Sequence, residues 1–273
     1  MDYAAWIGKI QVSHDSLNHS HVKRIGWTLG QAAPCDGADL PLLWHWAFFH
    51  ESVDSQELGV DGHPLTGEFL PETHGRKRMW AGSRLTFHRP LKIGVSALRR
   101  SSILSVKEKA GRSGSLLFVT VGHEYLQEDE LKLYEEQDIV YKAASGTLTI
   151  GEPLPDSDWQ QSLPVNPALL FRYSAITFNA HRIHYDLHYV TEVEGYPGLV
   201  MHGPLVATLA LQSLLEAHPG IAVSRFSFKG VRPLIAGENL IVQGRLNTPG
   251  VAELWSGNTQ GIGQVGKVSF DVA

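Results

Sequence analysis

The sequence has little of what would cross-link the chain, hold it in a membrane or attract it to nucleic acid. Cys35 is the single cysteine among 273 residues, so no disulfide can form within the chain. The formal net charge at pH 7 is −5, which gives no electrostatic basis for binding nucleic acid. No apolar run approaches the ~20 residues that cross a bilayer, and the amino terminus lacks a signal peptide's basic start and apolar core. These absences predict a cytoplasmic protein without membrane or nucleic-acid partners.

The chain contains a distant repeat of itself. Phe87–Gly94 reads FHRPLKIG and Phe228–Gly237 reads FKGVRPLIAG, so both share an Arg-Pro-Leu triplet followed by Gly. An arginine also precedes each phenylalanine by three positions, at Arg84 and Arg225. The two copies lie about half the chain apart, and this spacing favours a duplicated domain over a chance similarity of two strand–turn units.

Hydrophobic patterning predicts one buried helix and a series of strands in each half. Leu40–His50 (LPLLWHWAFFH) is apolar enough for a buried helix, and Pro204–Ala217 combines strong helix formers with Pro in the first turn. Alternating segments predict strands at Arg84–His88, Ala97–Val106, Leu116–Tyr125, Glu136–Lys142, Val223–Phe228, Asn239–Arg245, Ala252–Ser256 and Gly263–Val272. We therefore expect an α+β fold in which each half wraps an antiparallel sheet around a central helix.

The predicted division of the chain follows from a stretch rich in Gly and Pro between the halves. We expect a first domain over residues 1–145, a linker over 146–163 and a second domain over 164–273. The second domain contains the segments that hold candidate catalytic residues.

Phe171–Asp186 (FRYSAITFNAHRIHYD) concentrates imidazoles, an amide and an acid among aromatic side chains. The segment Gly195–Pro204 (GYPGLVMHGP) then opens directly into the predicted second helix. The first amides of a helix lack internal partners and carry the positive end of the helix dipole. The amide of Gly203 is therefore a candidate donor to a developing oxyanion.

These segments resemble the hydratase-2 motif of MaoC-type hot-dog enzymes, which has an Asp and, five residues later, a His. Here the two positions hold Asn179 and His184. VEGYPGLVMHGP and the first-half segments PLLWHWAFF, MWAGSRLTFHRPL and EEQDIVY extend the resemblance to hydroxyacyl-thioester dehydratase type 2 and its relatives, among them bacterial mesaconyl-C4-CoA and itaconyl-CoA hydratases. The resemblance covers roughly residues 40–273.

The resemblance implies a tandem double hot-dog fold in which only the second half keeps the catalytic segment. It implies hydration or dehydration of a CoA thioester, with His184 as general acid/base and Gly203 as the oxyanion amide. An amide cannot accept a proton, so we expect Asn179 to orient the water while His184 alone carries the proton. No cofactor is implied, and a homodimer of the fused unit is possible.

A dicarboxyl substrate such as itaconyl-CoA or mesaconyl-C4-CoA, giving citramalyl-CoA, would need a cation for its second carboxylate. Arg172 and Arg182 flank the motif, and Arg84 lies in the other half; each is a candidate, with a structural ion pair as the alternative. Tyr173 and His202 are further candidate substrate-binding residues. The basic run at residues 76–78 is either a solvated loop or a contact for ligand phosphates.

Alternatives remain open at this point. His181, His184 and His188 have a spacing that could bind zinc, although no metal is expected from the resemblance. The activity could instead be (R)-3-hydroxyacyl-thioester dehydration on longer chains. Loss of the Asp at position 179 also leaves a non-catalytic acyl-CoA-binding module possible.

Overall fold

The computed structural model describes residues 3–50, 52–73, 75–111, 114–142 and 149–272. Its described part of the first half contains β1 (Ile10–Asp15), α1 (His19–Leu29), β2 (Lys77–Phe87), β3 (Ala97–Gly111), β4 (Gly114–Gln127) and β5 (Glu130–Lys142). The second half contains β6 (Trp159–Pro164), α2 (Pro167–Ile176), α3 (Gly203–Ala217), β7 (Ile221–Gly230), β8 (Asn239–Thr248), β9 (Val251–Asn258) and β10 (Gly261–Val272). The eight predicted strands are present, each longer than its pattern indicated.

The ten strands form one antiparallel sheet in the order β1-β3-β4-β5-β2-β7-β10-β9-β8-β6. This order is the same when read from either edge if β1 to β5 are matched with β6 to β10. At the central seam β2 pairs with β7, and Arg84 lies opposite Ser227 while Thr86 lies opposite Arg225. Since the repeat matches Arg84 with Arg225, the seam is self-complementary, as in a twofold dimer. The duplication read from the sequence is thereby confirmed.

The predicted second helix is confirmed as α3, and it is buried on most sides. Its nine buried residues include Leu205, Ala207, Leu211 and Leu214. The helix packs against β8, β9 and β10 and also reaches β2 of the first half. Burial of this kind, rather than a single apolar stripe, explains why the sequence of α3 is apolar on most sides.

The predicted helix over Leu40–His50 is wrong, although the prediction that this segment is buried is right. Only a single 3-10 turn forms, at Trp44–Ala47, and the backbone is left-handed at Leu43 (φ 69°) and Phe49 (φ 57°). Bulky aromatic residues lose rotamer freedom in a helix, and here they are buried in an irregular segment instead. In the described part of the chain, β4 and β5 are therefore covered by this irregular segment, through Trp46 and Phe49, and not by a helix as β9 and β10 are by α3.

Hydrophobic patterning missed four of the labelled strands and α-helices, β1, α1, β6 and α2, as well as a π-helix at Tyr189–Val193 and short 3-10 helices. The strands β1 and β6 occupy the two edges of the sheet, and α1 packs against α2 across the halves. β6 falls at the end of the predicted linker and pairs with β8, while the predicted boundary at residues 145–146 lies outside the described residues. No helix in the described ranges is long and apolar enough to cross a membrane.

Candidate active site

A cavity of about 990 Å³ lies between the halves, on the side of the sheet that α3 covers. The first half contributes inner faces of β4 and β5, including His123 and Gln137, and the second half contributes its predicted catalytic segment. Five of the eight residues predicted for the site line this cavity: Tyr173, Asn179, His184, His202 and Gly203. The acid/base and oxyanion candidates therefore line the same cavity.

His184 lies in a short 3-10 turn (Arg182–His184) and is buried. Its Nδ1 lies 2.7 Å from the carbonyl oxygen of Val200, and because a carbonyl can only accept, Nδ1 carries the proton and donates. The other ring nitrogen, Nε2, is therefore the basic atom of the neutral ring. Burial lowers the pKa of His184 to about 4, so the ring is neutral near pH 7. A neutral imidazole with a fixed tautomer suits a general base.

His202 stacks on His184, with ring centroids 3.6 Å apart and an interplanar angle of 20°. Its Nε2 and the Ser174 hydroxyl are hydrogen-bonded at 2.8 Å, while its buried Nδ1 has no partner among the described residues. Burial, followed by the neighbouring imidazoles, keeps the pKa of His202 well below its usual range. Tyr173 packs its ring against His202 at 4.9 Å. The stack fixes the plane of the His184 ring.

The amino terminus of α3 reaches the cavity at Gly203, and His202 occupies the N-cap position without a side-chain hydrogen bond to the helix. The carbonyl of Gly203 accepts a hydrogen bond from the Gln264 side chain at 3.0 Å, which fixes the orientation of this first turn. Because the first helical amides have no acceptor within the helix, the helix start presents donors and positive charge. Position and dipole both suit stabilisation of an oxyanion.

Asn179, at the position of the motif's Asp, has a structural role that the sequence did not indicate. Its side-chain oxygen accepts the backbone N–H of His181 at 3.0 Å and thereby closes the turn that leads to His184. The nearby Asp186 accepts from the backbone N–H of Tyr189 and pairs with Arg182, so it caps a turn. The NH2 of the Asn179 side chain makes no hydrogen bond within the described residues and can donate to a water in the cavity.

A loop of the first half, residues 55–66, is docked on the segment that carries Asn179 and His184. The backbone N–H of Arg182 donates to the carbonyl of Asp61 at 2.9 Å. Gly62 has φ +88°, and a Cβ there would lie 1.9 Å from the carbonyl oxygen of Ala180. Only glycine allows so close an approach, so this contact fixes the loop against the motif.

The docked loop adds an acid and an imidazole that sequence reasoning missed. His63 donates its Nδ1–H to the carboxylate of Asp61 at 3.0 Å, and its ring lies 4.1 Å from that of His181. The ring of His181 in turn lies 5.4 Å from that of His184, edge to face. In sequence, Asp61-Gly62-His63-Pro64 reads only as a turn. Its 120-residue separation from His181 hides the contact.

Burial and neighbouring charges set the protonation of this group. Burial lowers the pKa of His181, and the adjacent imidazoles of His63 and His184 lower it further, while Asp61 acts in the opposite direction. The pKa of Asp61 stays below its usual range although burial opposes this, because His63 donates hydrogen bonds to it. The cluster therefore rests as one carboxylate beside neutral imidazoles. Asp61, His63 and His181 also place one ligand-type atom each within 4.8 Å of one another, as a metal site requires.

The three arginines expected near the substrate lie away from the cavity wall. Arg84 pairs with Glu136 and Asp138, Arg182 pairs with Asp186, and Arg172 is exposed. The structural ion pair, left open as the alternative, is what Arg84 and Arg182 form. Arg78 lines the cavity instead, close enough to His63 and His181 that its charge lowers the pKa of both. It is half-buried, and no ion pair of Arg78 is present in the described ranges.

The geometry defines a class of enzyme. A buried neutral imidazole and a helix amino terminus line one cavity between two halves of a duplicated sheet fold. Such a pair removes or supplies protons while it stabilises charge on a carbonyl oxygen, which is what hydration of a double bond conjugated to a thioester requires. The site is that of a hydratase or dehydratase.

Known proteins support this class. The family model for hydroxyacyl-thioester dehydratase type 2 matches residues 43–236. A mesaconyl-C(4)-CoA hydratase of Chloroflexus aurantiacus is 43% identical over 240 residues, 85% of each chain. The mitochondrial hydroxyacyl-thioester dehydratase type 2 of Schizosaccharomyces pombe is 26% identical, covering 84% of this chain and 88% of its own. The chain belongs to the hydroxyacyl-thioester dehydratase type 2 family.

Solved structures bear out the fold. A MaoC-like dehydratase superposes with a TM-score of 0.73 at 14% identity, covering 98% of this chain and 99% of its own. A Mycobacterium tuberculosis protein described as a double hot-dog fold gives a TM-score of 0.60 at 15% identity, covering 97% and 95%. The predicted tandem double hot-dog architecture is confirmed, and the protein is an acyl-CoA hydratase or dehydratase.

Proposed function

We propose that this protein catalyses the reversible hydration of an enoyl-CoA that carries a second carboxylate, most simply mesaconyl-C4-CoA or itaconyl-CoA giving citramalyl-CoA. The observation that carries the proposal is the open Nε2 of a neutral His184 on the same cavity as the start of α3. The substrate named for the Chloroflexus aurantiacus relative supports the choice of a dicarboxyl acyl-CoA.

With mesaconyl-C4-CoA, the residues act as follows in the hydration direction. The water oxygen forms a bond to C3 while one water proton passes to Nε2 of His184. The electron pair of the double bond moves to C2, and negative charge spreads onto the thioester oxygen beside the amide of Gly203. C2 then takes a proton from the imidazolium, and the hydroxyl and hydrogen have been added with no change in oxidation state.

Arg78 is the proposed partner of the second carboxylate. It is a half-buried cation on the cavity wall beside His63 and His181, whereas Arg84 and Arg182 are engaged in ion pairs. In mesaconyl-C4-CoA the free carboxylate is attached to C3, the carbon that water attacks. Its receptor must therefore lie beside the acid/base residues, and guanidinium matches a carboxylate in shape and charge.

The test compares two substrates in one assay. Absorbance of the conjugated enoyl thioester is followed with purified protein and either mesaconyl-C4-CoA or crotonyl-CoA. We expect kcat/KM to be at least ~100-fold higher for the diacid, roughly the worth of one well-placed charged hydrogen bond. Equal values for the unbranched monoacid would contradict the dicarboxyl proposal.

The runner-up activity is dehydration of (R)-3-hydroxyacyl thioesters of longer chains. The family model and the two yeast relatives, by their names, favour it. Equal or better turnover of long-chain 3-hydroxyacyl thioesters would select this alternative. A protein inert toward every enoyl thioester would instead point to a non-catalytic binding module.

Two further proposals concern the setting of the activity. We propose a cytoplasmic location and a homodimer of the fused unit, although both yeast relatives carry the description mitochondrial. Cell fractionation and light scattering measure these directly.

A further inference from the structure

The motif's carboxylate at position 179 is absent, yet a carboxylate returns to the site from the other half of the chain. Asp61 lies on the docked loop 55–66, whose backbone bonds to Arg182 and whose Gly62 abuts Ala180. The loop therefore approaches the same short turn that Asn179 caps. The position where Asn179 replaces the motif's Asp and the loop that carries Asp61 therefore meet at the same turn.

Two imidazoles, those of His63 and His181, lie between this carboxylate and His184. Asp61 accepts from His63 at 3.0 Å, His63 lies 4.1 Å from His181, and His181 lies 5.4 Å from His184 by ring centroids. The rings of His63, His181 and His184 all line the cavity. His181 is therefore placed to share the reacting water with His184.

From these contacts we propose that His181 is the second acid–base residue of the site and that Asp61, acting through His63, is its charge partner. This inference rests on the proposed hydratase function and revises the expectation that His184 alone carries the proton. His181 takes over the part that the motif's carboxylate would play, and Asn179 keeps only the turn.

In hydration the imidazole pair receives one proton from water as the oxygen–C3 bond forms, and it returns one proton to C2. With two rings, the group that accepts from water and the group that delivers to carbon need not be the same. Protonation of the pair is brief, and the Asp61 carboxylate stabilises that cationic state in a buried setting of low dielectric. No redox partner or other reactant is required.

The charged and titratable groups that face His181 come from four places in the fold. Asp61 and His63 approach from the loop, His184 and His202 from its own segment and the start of α3, and Arg78 from β2. Arg78 opposes protonation of His181. A substrate carboxylate bound at Arg78 would offset that charge, so binding of a diacid would favour the protonated pair.

The test replaces His181 in the full chain and measures kcat and KM with mesaconyl-C4-CoA. We expect His181→Ala to lower kcat ~100-fold or more, with KM unchanged within about threefold, because the ring acts in the reaction step. Added imidazole should restore part of the rate, which a merely structural role would not permit. The matched control is His188→Ala, an exposed histidine four residues past His184, which should keep the wild-type rate.

The role of Asp61 is tested by coupling. We expect Asp61→Asn to lower kcat ~10-fold, and Asp61→Asn combined with His181→Ala to be no slower than His181→Ala alone. Circular dichroism and melting curves identify misfolding, and the conservative His181→Gln serves where the alanine variant fails to fold.

Three results would overturn the inference while the hydratase function stands. The first is an active wild type whose His181→Ala and His181→Gln variants keep kcat within about threefold. The second is additive loss in the double variant. The third is activity that a chelator removes and zinc restores, since the cluster would then be a metal site. A wild type without hydratase activity would instead remove the function itself.

Discussion

Two buried imidazoles on the cavity, His123 of the first half and His184 of the second, differ in the use of one ring nitrogen. In the first half, both ring nitrogens of His123 are used, one with the Ser101 hydroxyl at 2.8 Å and one with the Gln137 side-chain oxygen at 3.0 Å. In the second half, His184 uses only Nδ1, and its Nε2 has no protein partner in the described part of the chain. One ring is a satisfied structural histidine and the other is available for chemistry.

The halves differ in the same sense at larger scale. The second half keeps its central helix and the start of that helix faces the cavity. Among the described residues of the first half no equivalent helix is present, and strands β4 and β5 line the cavity through His123 and Gln137. A loop of the first half that carries Asp61 and His63 packs against the segment of the second half that contains His181 and His184. The candidate site thus belongs to both halves: His63 and Arg78 of the first half line the same cavity as His184 and Gly203 of the second.

The largest expected effect is on the imidazole that is open. His184→Ala should lower kcat by ~10²- to 10⁴-fold, the usual contribution of a general acid/base. Steady-state kinetics with mesaconyl-C4-CoA measure it, and His184→Gln checks that loss of packing against His202 is not the cause. A loss below tenfold in both variants would assign the chemistry elsewhere.

The contact between the halves is broken most directly at Gly62. Gly62→Ala would place a Cβ 1.9 Å from the Ala180 carbonyl oxygen and should displace the loop, lowering kcat ~10- to 100-fold. Gly8→Ala is the control, because Gly8 has nearly the same φ (+86° against +88°) but open space around it. Both variants should lose about 1 kcal/mol of stability from the backbone alone. Equal activities for the two would mean that loop docking does not matter for catalysis.

The division of labour predicts that selectivity depends on the first half. Arg78→Gln should raise KM for mesaconyl-C4-CoA ~10-fold and leave KM for crotonyl-CoA within about twofold. Arg84→Gln, on the same strand but paired on the outside with Glu136 and Asp138, is the control. An equal rise for both substrates would point to a contact with the CoA phosphates.

The two buried imidazoles should act alike on stability, whatever their catalytic difference. Burial lowers the pKa of His123 and of His184 to about 4 each, whereas an unfolded histidine titrates near ~6.5. Between these values the unfolded chain binds more protons, so stability is full above pH ~6.5 and falls as the pH drops toward 4. The melting temperature, measured across this pH range, should depend less on pH in His123→Gln and in His184→Gln than in the wild type, and by a similar amount in both. A wild-type melting temperature that does not change between about pH 6.5 and about pH 4 would contradict the burial of both rings in neutral form.

The smallest effect is expected at Asn179. Asn179→Asp keeps an oxygen that accepts the backbone N–H of His181, so kcat should change less than about threefold. Asn179→Ala removes the cap and should cost about 1 kcal/mol in the free energy of unfolding, measured by denaturant. A large rate gain in Asn179→Asp would show that the motif's acid can still act here.

The sequence predicted much of the fold because its strongest signals are local. Periodicity located α3 and eight strands, and the repeated Arg-Pro-Leu segments indicated the duplication. The helix at Leu40–His50 failed because composition reports burial, not backbone angle, and left-handed residues at 43 and 49 cannot be read from an apolar run. The short edge strands β1 and β6 gave too little alternation to stand out.

The site was predictable only where its residues lie together in sequence. His184, His202 and Gly203 share a cavity as expected, because one motif and one helix start position all three. Asp61, His63 and Arg78 come from the other half, and nothing in their local spacing shows which segment they face. Their contribution depends on how the halves dock, which is a property of tertiary structure alone.

The self-complementary seam between β2 and β7 has an evolutionary consequence. In a dimer of identical chains, every substitution is made twice, so a change that widens one pocket also alters its twin. Fusion removes that constraint, since each copy of the hot-dog unit can mutate independently while the pairing of Arg84 with Ser227 and Thr86 with Arg225 preserves the joint. The covalent link thus allows one copy of the hot-dog unit to change toward substrate selectivity while the other keeps its acid/base residues.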